Sequence, residues 1–238
     1  MPKIRQTRIW EGIKVKDYDF PSDQFYEVNT HKSLIVLHHM ASGTGIKGDL
    51  NWWLSNSSRV ATCCAIQRNG DISTMFSSKN WAHALGIKIK EFDKFNIPRK
   101  YRIDSKGKKY VSNNEILNEK AIQVELDSWG QLTKKGNDFF SWTGKRIDKS
   151  LVHSYDSKFR GHHHYEKYTD ESIRSLEKLL LYWNKTYNIN VSFKGMIMFE
   201  QNKRALSGES GVWGHVSYRS DKNDIHPQPE LISMLKTL

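Results

Sequence analysis

Residues able to ligate a metal stand in two places that a folded chain can bring together. In the run Gly214-His215-Val216-Ser217-Tyr218-Arg219-Ser220-Asp221-Lys222-Asn223-Asp224, His215 and Asp224 are nine positions apart, close enough for a loop to fold back on itself. A neutral imidazole and a carboxylate both ligate zinc directly. The apolar run Ser33-Leu34-Ile35-Val36-Leu37 ends at His38-His39 and supplies a third ligand from elsewhere. Two histidines and one aspartate make an open site, because tetrahedral zinc then keeps a fourth position for water.

The elements that must position these residues follow from apolar pattern and turn chemistry. Leu34 to His38 is short, partly β-branched and bounded by polar residues, which predicts a fully buried strand. Its C-terminal end is the place for a site. A polar loop with Gly43, Gly45 and Gly48 precedes a short helix at Asn51-Trp52-Trp53-Leu54. Ala61 to Gln67 and Asp71 to Met75 flank Arg68-Asn69-Gly70, and Asn-Gly predicts a β-hairpin because both residues tolerate positive φ. Residues 86–119 mix Lys, Asp, Asn, Gly and Pro98 with few periodic apolar positions and are expected to be a surface insertion. Ala121 to Leu126 then alternates, with Ile122, Val124 and Leu126 on one face and Gln123 and Glu125 on the other. Thr169 caps a helix whose apolar stripe is Ile173, Leu176, Leu180 and Trp183, and a last helix begins at Pro229. Residues 1–30 are expected to be an extension of a single domain spanning 31–238.

Composition bounds the partners. The chain has 238 residues and a net charge of +11, with a pI near 9.5, which attracts polyanions: nucleic acid, anionic lipid, or the acidic polymers of a bacterial envelope. The basic residues are spread along the chain, without zinc-finger spacing or an RNP-like aromatic signature, so nucleic acid is not expected. Only Cys63 and Cys64 are present, adjacent and poorly placed to bond each other; they are expected to be small core residues in a reducing compartment. No signal-peptide core follows the basic N-terminus, and no apolar run approaches membrane-spanning length.

Five blocks occur in an order that resembles a known family: Leu34-Ile35-Val36-Leu37-His38-His39-Met40-Ala41-Ser42, Ala65-Ile66-Gln67-Arg68-Asn69-Gly70-Asp71-Ile72, Trp81-Ala82-His83-Ala84, Ala121-Ile122-Gln123-Val124-Glu125-Leu126, and Gly214-His215 to Asp224. The chain resembles the type-2 N-acetylmuramoyl-L-alanine amidases, the zinc amidases that include phage lysozyme-amidases and peptidoglycan recognition proteins. The resemblance implies an α/β domain with a central mixed β-sheet flanked by helices. It also implies Zn2+ as cofactor and hydrolysis of the amide between N-acetylmuramic acid and L-alanine of peptidoglycan. It places the ligands at His38 (with His39 as its neighbour), His215 and Asp224, with Asp221 the nearest competitor to Asp224. Glu125 matches the catalytic glutamate and Lys222 the lysine two positions before the third ligand. His83 is expected to line the substrate cleft, with packing beside Trp81 the competing placement. The family's tyrosine and histidine before the Arg-x-Gly hairpin are Thr62 and Cys63 here, so no role transfers from them. Asp-Pro-Gly after the third ligand is replaced by Asp224-Ile225-His226-Pro227.

The oligomeric state is left open, with a monomer favoured, and no membrane insertion is expected; the resemblance implies a protein made in the bacterial cytoplasm and released to the wall, as a phage endolysin is. A bacterial amidase that recycles wall fragments and a binding module without catalysis are the alternatives; retention of all three ligands favours an enzyme. His162-His163-His164 is expected to lie on a surface or rim loop, since adjacent imidazoles there do not converge on one ion.

Overall fold

The structure, a computed structural model, describes residues 2–43 and 45–238. In chain order the elements are β1 (Ile4–Trp10), β2 (Ile13–Tyr18), β3 (Leu34–His39), α1 (Ile46–Leu54), β4 (Cys64–Ile66), β5 (Ile72–Thr74), α2 (Ile89–Lys94), β6 (Tyr101–Ile103), β7 (Lys109–Val111), α3 (Asn113–Lys120) and β8 (Ala121–Leu126). The second half continues with β9 (Gln131–Lys135), β10 (Asp138–Phe140), β11 (Arg146–Ile147), β12 (Val152–Phe159), β13 (His162–Glu166), α4 (Asp170–Tyr187), α5 (Lys203–Leu206), β14 (Gly211–Gly214) and α6 (Pro229–Leu235).

A seven-stranded sheet in the order β1-β2-β5-β4-β8-β3-β14 forms the centre. It is mixed: β3 runs parallel to both β8 and β14, β4 runs parallel to β8, and β4 pairs antiparallel with β5. All six residues of β3 are buried, as a strand covered on both faces requires, which explains its unbroken apolar run. Strand β8 places Ile122 and Val124 in the main core. Helix α4 buries Ile173, Leu176, Leu180 and Trp183, and the Thr169 side chain accepts a hydrogen bond from the Ser172 amide at its N-terminus, so stripe and cap both stand as expected.

Several expectations are corrected. The helix expected at Asn51 begins at Ile46, so Gly48 is helical rather than part of the loop. The hairpin around Asn69-Gly70 forms, but its strands cover only Cys64–Ile66 and Ile72–Thr74. Residues 86–119 hold two helices and the β6–β7 hairpin, and Phe92 and Leu117 from this stretch enter the main core. His162 to His164 lie in strand β13, not in a loop. The expected extension begins at Met1, outside the described residues; Ile4 to Tyr18 form a hairpin whose second strand joins β5 in parallel. Residues 131–166 build a separate five-stranded sheet, β11-β10-β9-β13-β12, that the sequence pattern did not bring out. Arg68 ties it to the hairpin by donating to Asp127 (2.6 Å) and Glu166 (2.7 Å), two carboxylates with almost no exposure.

A buried lysine joins the sheet to α3. Lys32 is 1% exposed, and its Nζ donates to the carbonyls of Asn80 (2.8 Å), Glu119 (2.8 Å) and Ala121 (3.3 Å). Burial pulls its pKa down to about 8. The unfolded lysine holds its proton to about pH 10.4, so between these values the unfolded state binds more protons and stability rises with pH. Below pH 8 both states are protonated and the gain is absent. Wild type should therefore gain on the order of 2 kcal/mol over Lys32→Met between pH 8 and 10. Urea midpoints that differ by the same amount at both pH values would refute this.

Candidate metal centre and active site

The sheet register brings the two histidines together. Gly214 pairs with Leu37 at the parallel β14–β3 junction, so His215 and His38 emerge side by side, their rings 4.4 Å apart. The loop after His215 folds back because the Val216 amide donates to the Asp224 carbonyl at 2.7 Å. That returns the Asp224 carboxylate to the histidines: its Oδ2 lies 2.8 Å from His215 Nδ1 and 3.4 Å from His38 Nδ1. All three residues are buried. Asp221 is exposed and salt-bridged to Arg219 at 2.8 Å, outside this cluster. Adjacent strand residues face opposite ways, and His39 turns from the cluster, its Nδ1 3.2 Å from the Tyr168 hydroxyl; burial pulls its pKa down to about 4.

The hydrogen bonds behind the histidines decide which of their nitrogens carry protons. His215 Nε2 donates to the Leu85 carbonyl (2.9 Å), and His38 Nε2 donates to Gln123 Oε1 (3.0 Å). The Gln123 amide is oriented by its own donation to Asn118 Oδ1 (3.0 Å) and the Ala82 carbonyl (3.3 Å). Asn118 Oδ1 also accepts from the Leu85 amide at 3.1 Å, so one fully buried side chain braces the supports of both imidazoles. With Nε2 protonated, each neutral ring presents its Nδ1 lone pair to a carboxylate oxygen. Three acceptors then face one another with no hydrogen between them, an arrangement that calls for a shared cation. One donor atom from each residue lies within 4.8 Å of the others. The donor set, two imidazole nitrogens and a carboxylate oxygen with carbonyl partners behind both rings, fits zinc. Positive charge in this space, carried by protons on the imidazoles when no cation shares it, outweighs the upward push of burial and holds the Asp224 carboxyl well below the usual carboxylate range.

Glu125 sits opposite His38 in the β3–β8 register. Its Oε2 is out of solvent and has no hydrogen-bond partner among the described residues. Burial pushes its pKa up to about 8; the charges of Asp49 and Asp224 add to that shift, while His38 and Lys222 oppose it. A carboxyl group poised near neutrality can both take and return a proton. Lys222 is half-buried on the His215–Asp224 loop, and Arg160 holds that loop by donating to the Lys222 carbonyl at 2.8 Å and the Arg219 carbonyl at 2.7 Å. His83 is packed: its ring meets Trp81 edge-on with centroids 5.1 Å apart, and its Nε2 lies 3.1 Å from the Tyr26 hydroxyl. Cys63 and Cys64 are free and buried, and burial pushes the Cys63 thiol up to about 11, the behaviour of inert core residues.

Gln123 and Asn118 escaped the sequence pattern. Each is polar on an otherwise ordinary element, and only its partners give it a role. The second sheet had a usable signal in Gly136, Gly144 and Gly161, which all take positive φ between its strands.

No family model matches this chain, and no curated protein does. It is similar to solved structures that include the N-acetylmuramoyl-L-alanine amidase LysC from Clostridium intestinale URNW, at 12% identity and a TM-score of 0.41, over 90% of this chain and 92% of that one. A structure of PlyL gives 14% identity and a TM-score of 0.46, over 89% of this chain and 85% of the other. The Staphylococcus aureus hydrolase AmiA in complex with its ligand gives 13% identity and a TM-score of 0.43, over 93% and 76%.

Proposed function

We propose that this chain is a zinc-dependent N-acetylmuramoyl-L-alanine amidase, with residues 31–238 as its catalytic domain. The observation that carries the proposal is the buried convergence of His38, His215 and Asp224 beside an unpartnered Glu125 oxygen. When bound by these three ligands, zinc would supply Lewis-acid chemistry and bring the pKa of a coordinated water to about 7. Glu125 takes a proton from the attacking water and returns it to the nitrogen of the leaving L-alanine. The bond formed is carbon to water oxygen, and the bond broken is the amide. Lys222 offsets negative charge on the carbonyl oxygen as it develops. Gln123 and the Leu85 carbonyl keep both imidazoles in one tautomer while this happens.

Among the described residues, no helix is long and apolar enough to cross a membrane. The net charge of +11 suits adhesion to an acidic envelope, and the role we propose is that of a phage endolysin. Incubation of the zinc-loaded protein with purified sacculi, followed by mass spectrometry, should yield stem peptides with a free L-alanine amine and glycan strands with free lactyl carboxylates. New reducing sugar ends, cut cross-links, or binding without products would each defeat the proposal.

A further inference from the structure

The second sheet places an unusual side chain beside the site. Trp142 is 68% exposed, yet it is fixed: its Nε1 donates to the Ala41 carbonyl at 2.8 Å, and its ring lies edge-to-face with the buried Trp129, centroids 6.4 Å apart. It stands on the turn between β10 and β11, which is braced within itself. The Ser141 amide donates to the Lys145 carbonyl, the Gly144 amide to the Ser141 carbonyl, and the Lys145 amide to Ser141 Oγ. Turn tips usually carry small polar residues and move. This one holds a large apolar ring still in water.

Ala41 is the anchor that locates the ring. It continues β3 past His38 and His39, its amide donating to the Ser128 carbonyl at 2.9 Å, so it belongs to the same sheet edge as the metal cluster. It lies three positions past His38, a span of at most about 11 Å. Trp142 is therefore tied to the C-terminal end of β3, the end from which His38 enters the metal cluster.

We propose that Trp142 is a stacking platform for a pyranose ring of the glycan strand, next to the muramoyl unit whose amide is cut. The inference rests on the amidase proposal above, because that reaction puts sugar on one side of the scissile bond and peptide on the other. An uncharged pyranose presents a flat face of C–H groups that packs on an indole, while the stem peptide offers a charged, flexible backbone with less to stack. A ring already immobilised loses little side-chain entropy on binding, which is the advantage of bracing it in advance.

The test compares wild type, Trp142→Ala and Trp142→Phe on two substrates with the same stem peptide, a glycan-chain muropeptide and a single N-acetylmuramoyl peptide. For Trp142→Ala, KM on the chain substrate should rise about tenfold with kcat unchanged, and kinetics on the single-sugar substrate should stay within about twofold of wild type. Trp142→Phe keeps an aromatic face and should recover part of the loss. Unchanged KM on the glycan chain overturns the platform. Equal losses on both substrates overturn it too, since they would mean that the Ala41 segment has moved. If wild type cleaves neither substrate, the amidase function itself falls and the platform with it; cleavage by wild type with unaltered Trp142→Ala kinetics removes the platform alone.

Discussion

Zinc and activity should be lost together when His38, His215 or Asp224 is replaced by alanine. Each contributes one of three acceptors that converge in a space nearly closed to water, and each is buried, so truncation leaves the remaining pair with a cation they cannot hold. Losing a residue that merely supports a ligand typically costs about 10–100-fold in metal affinity, so losing a ligand should exceed that range. Zinc content after dialysis gives the first readout. The second is stability: zinc that binds only the folded state at about 1,000 times its Kd adds about 4 kcal/mol, and a variant that does not bind loses that rise in Tm. Turnover of a muropeptide should fall to background in all three variants. His39→Ala should keep its zinc, because its ring faces Tyr168. Full zinc occupancy in the three alanine variants would misassign the site, and loss with His39→Ala alone would move the ligand by one position.

Glu125→Gln should keep its zinc and lose most of its turnover, which separates chemistry from metal retention. The glutamate sits beside the cluster in the strand register but outside the three-residue donor set, and one of its oxygens has no partner among the described residues. Glutamine has the same shape but cannot accept and return a proton, so the loss should fall in the range of about 10²–10⁴ in kcat for general acid–base help. Lys222→Ala removes charge near the reacting carbonyl and should cost about 10²–10³, again in zinc-replete protein. Turnover at saturating substrate and zinc content must be measured on the same preparations. Near-native kcat in zinc-loaded Glu125→Gln would remove that residue from the mechanism, while zinc loss in that variant would recast it as a ligand or a structural support.

The parts of this molecule that could be read in advance are those set by neighbours in the chain. The apolar run of β3, the alternation of β8, the Asn69-Gly70 turn and the capped stripe of α4 all express short-range backbone preference and the 2.0 or 3.6 residue period. The candidate ligands were legible for a related reason: histidines at the end of a strand, and a histidine and aspartate spanning one loop, are local patterns. Residues 131–166 were harder. Polar residues that are exposed or only half-buried fill most positions of their strands, and the cluster they bury is small, formed by Trp129, Leu132, Phe139 and Ile147.

From sequence alone come the residue types able to hold a cation, their order, and the strand and helix that deliver them. Tertiary structure decided which atoms meet. His38 rather than His39 faces Asp224 because the β8 and β14 registers fix which side of β3 looks toward the returning loop. Asp224 rather than Asp221 enters the cluster because a backbone hydrogen bond to Val216 draws it inward while Arg219 holds Asp221 at the surface. Asn118 gains its role only where α3 packs beside the segment bearing Leu85 and beside Gln123, and Trp142 reaches Ala41 across 101 positions of chain. Contacts between such distant residues depend on how whole elements pack, and the polar side chains that make them are too few to leave a periodic trace.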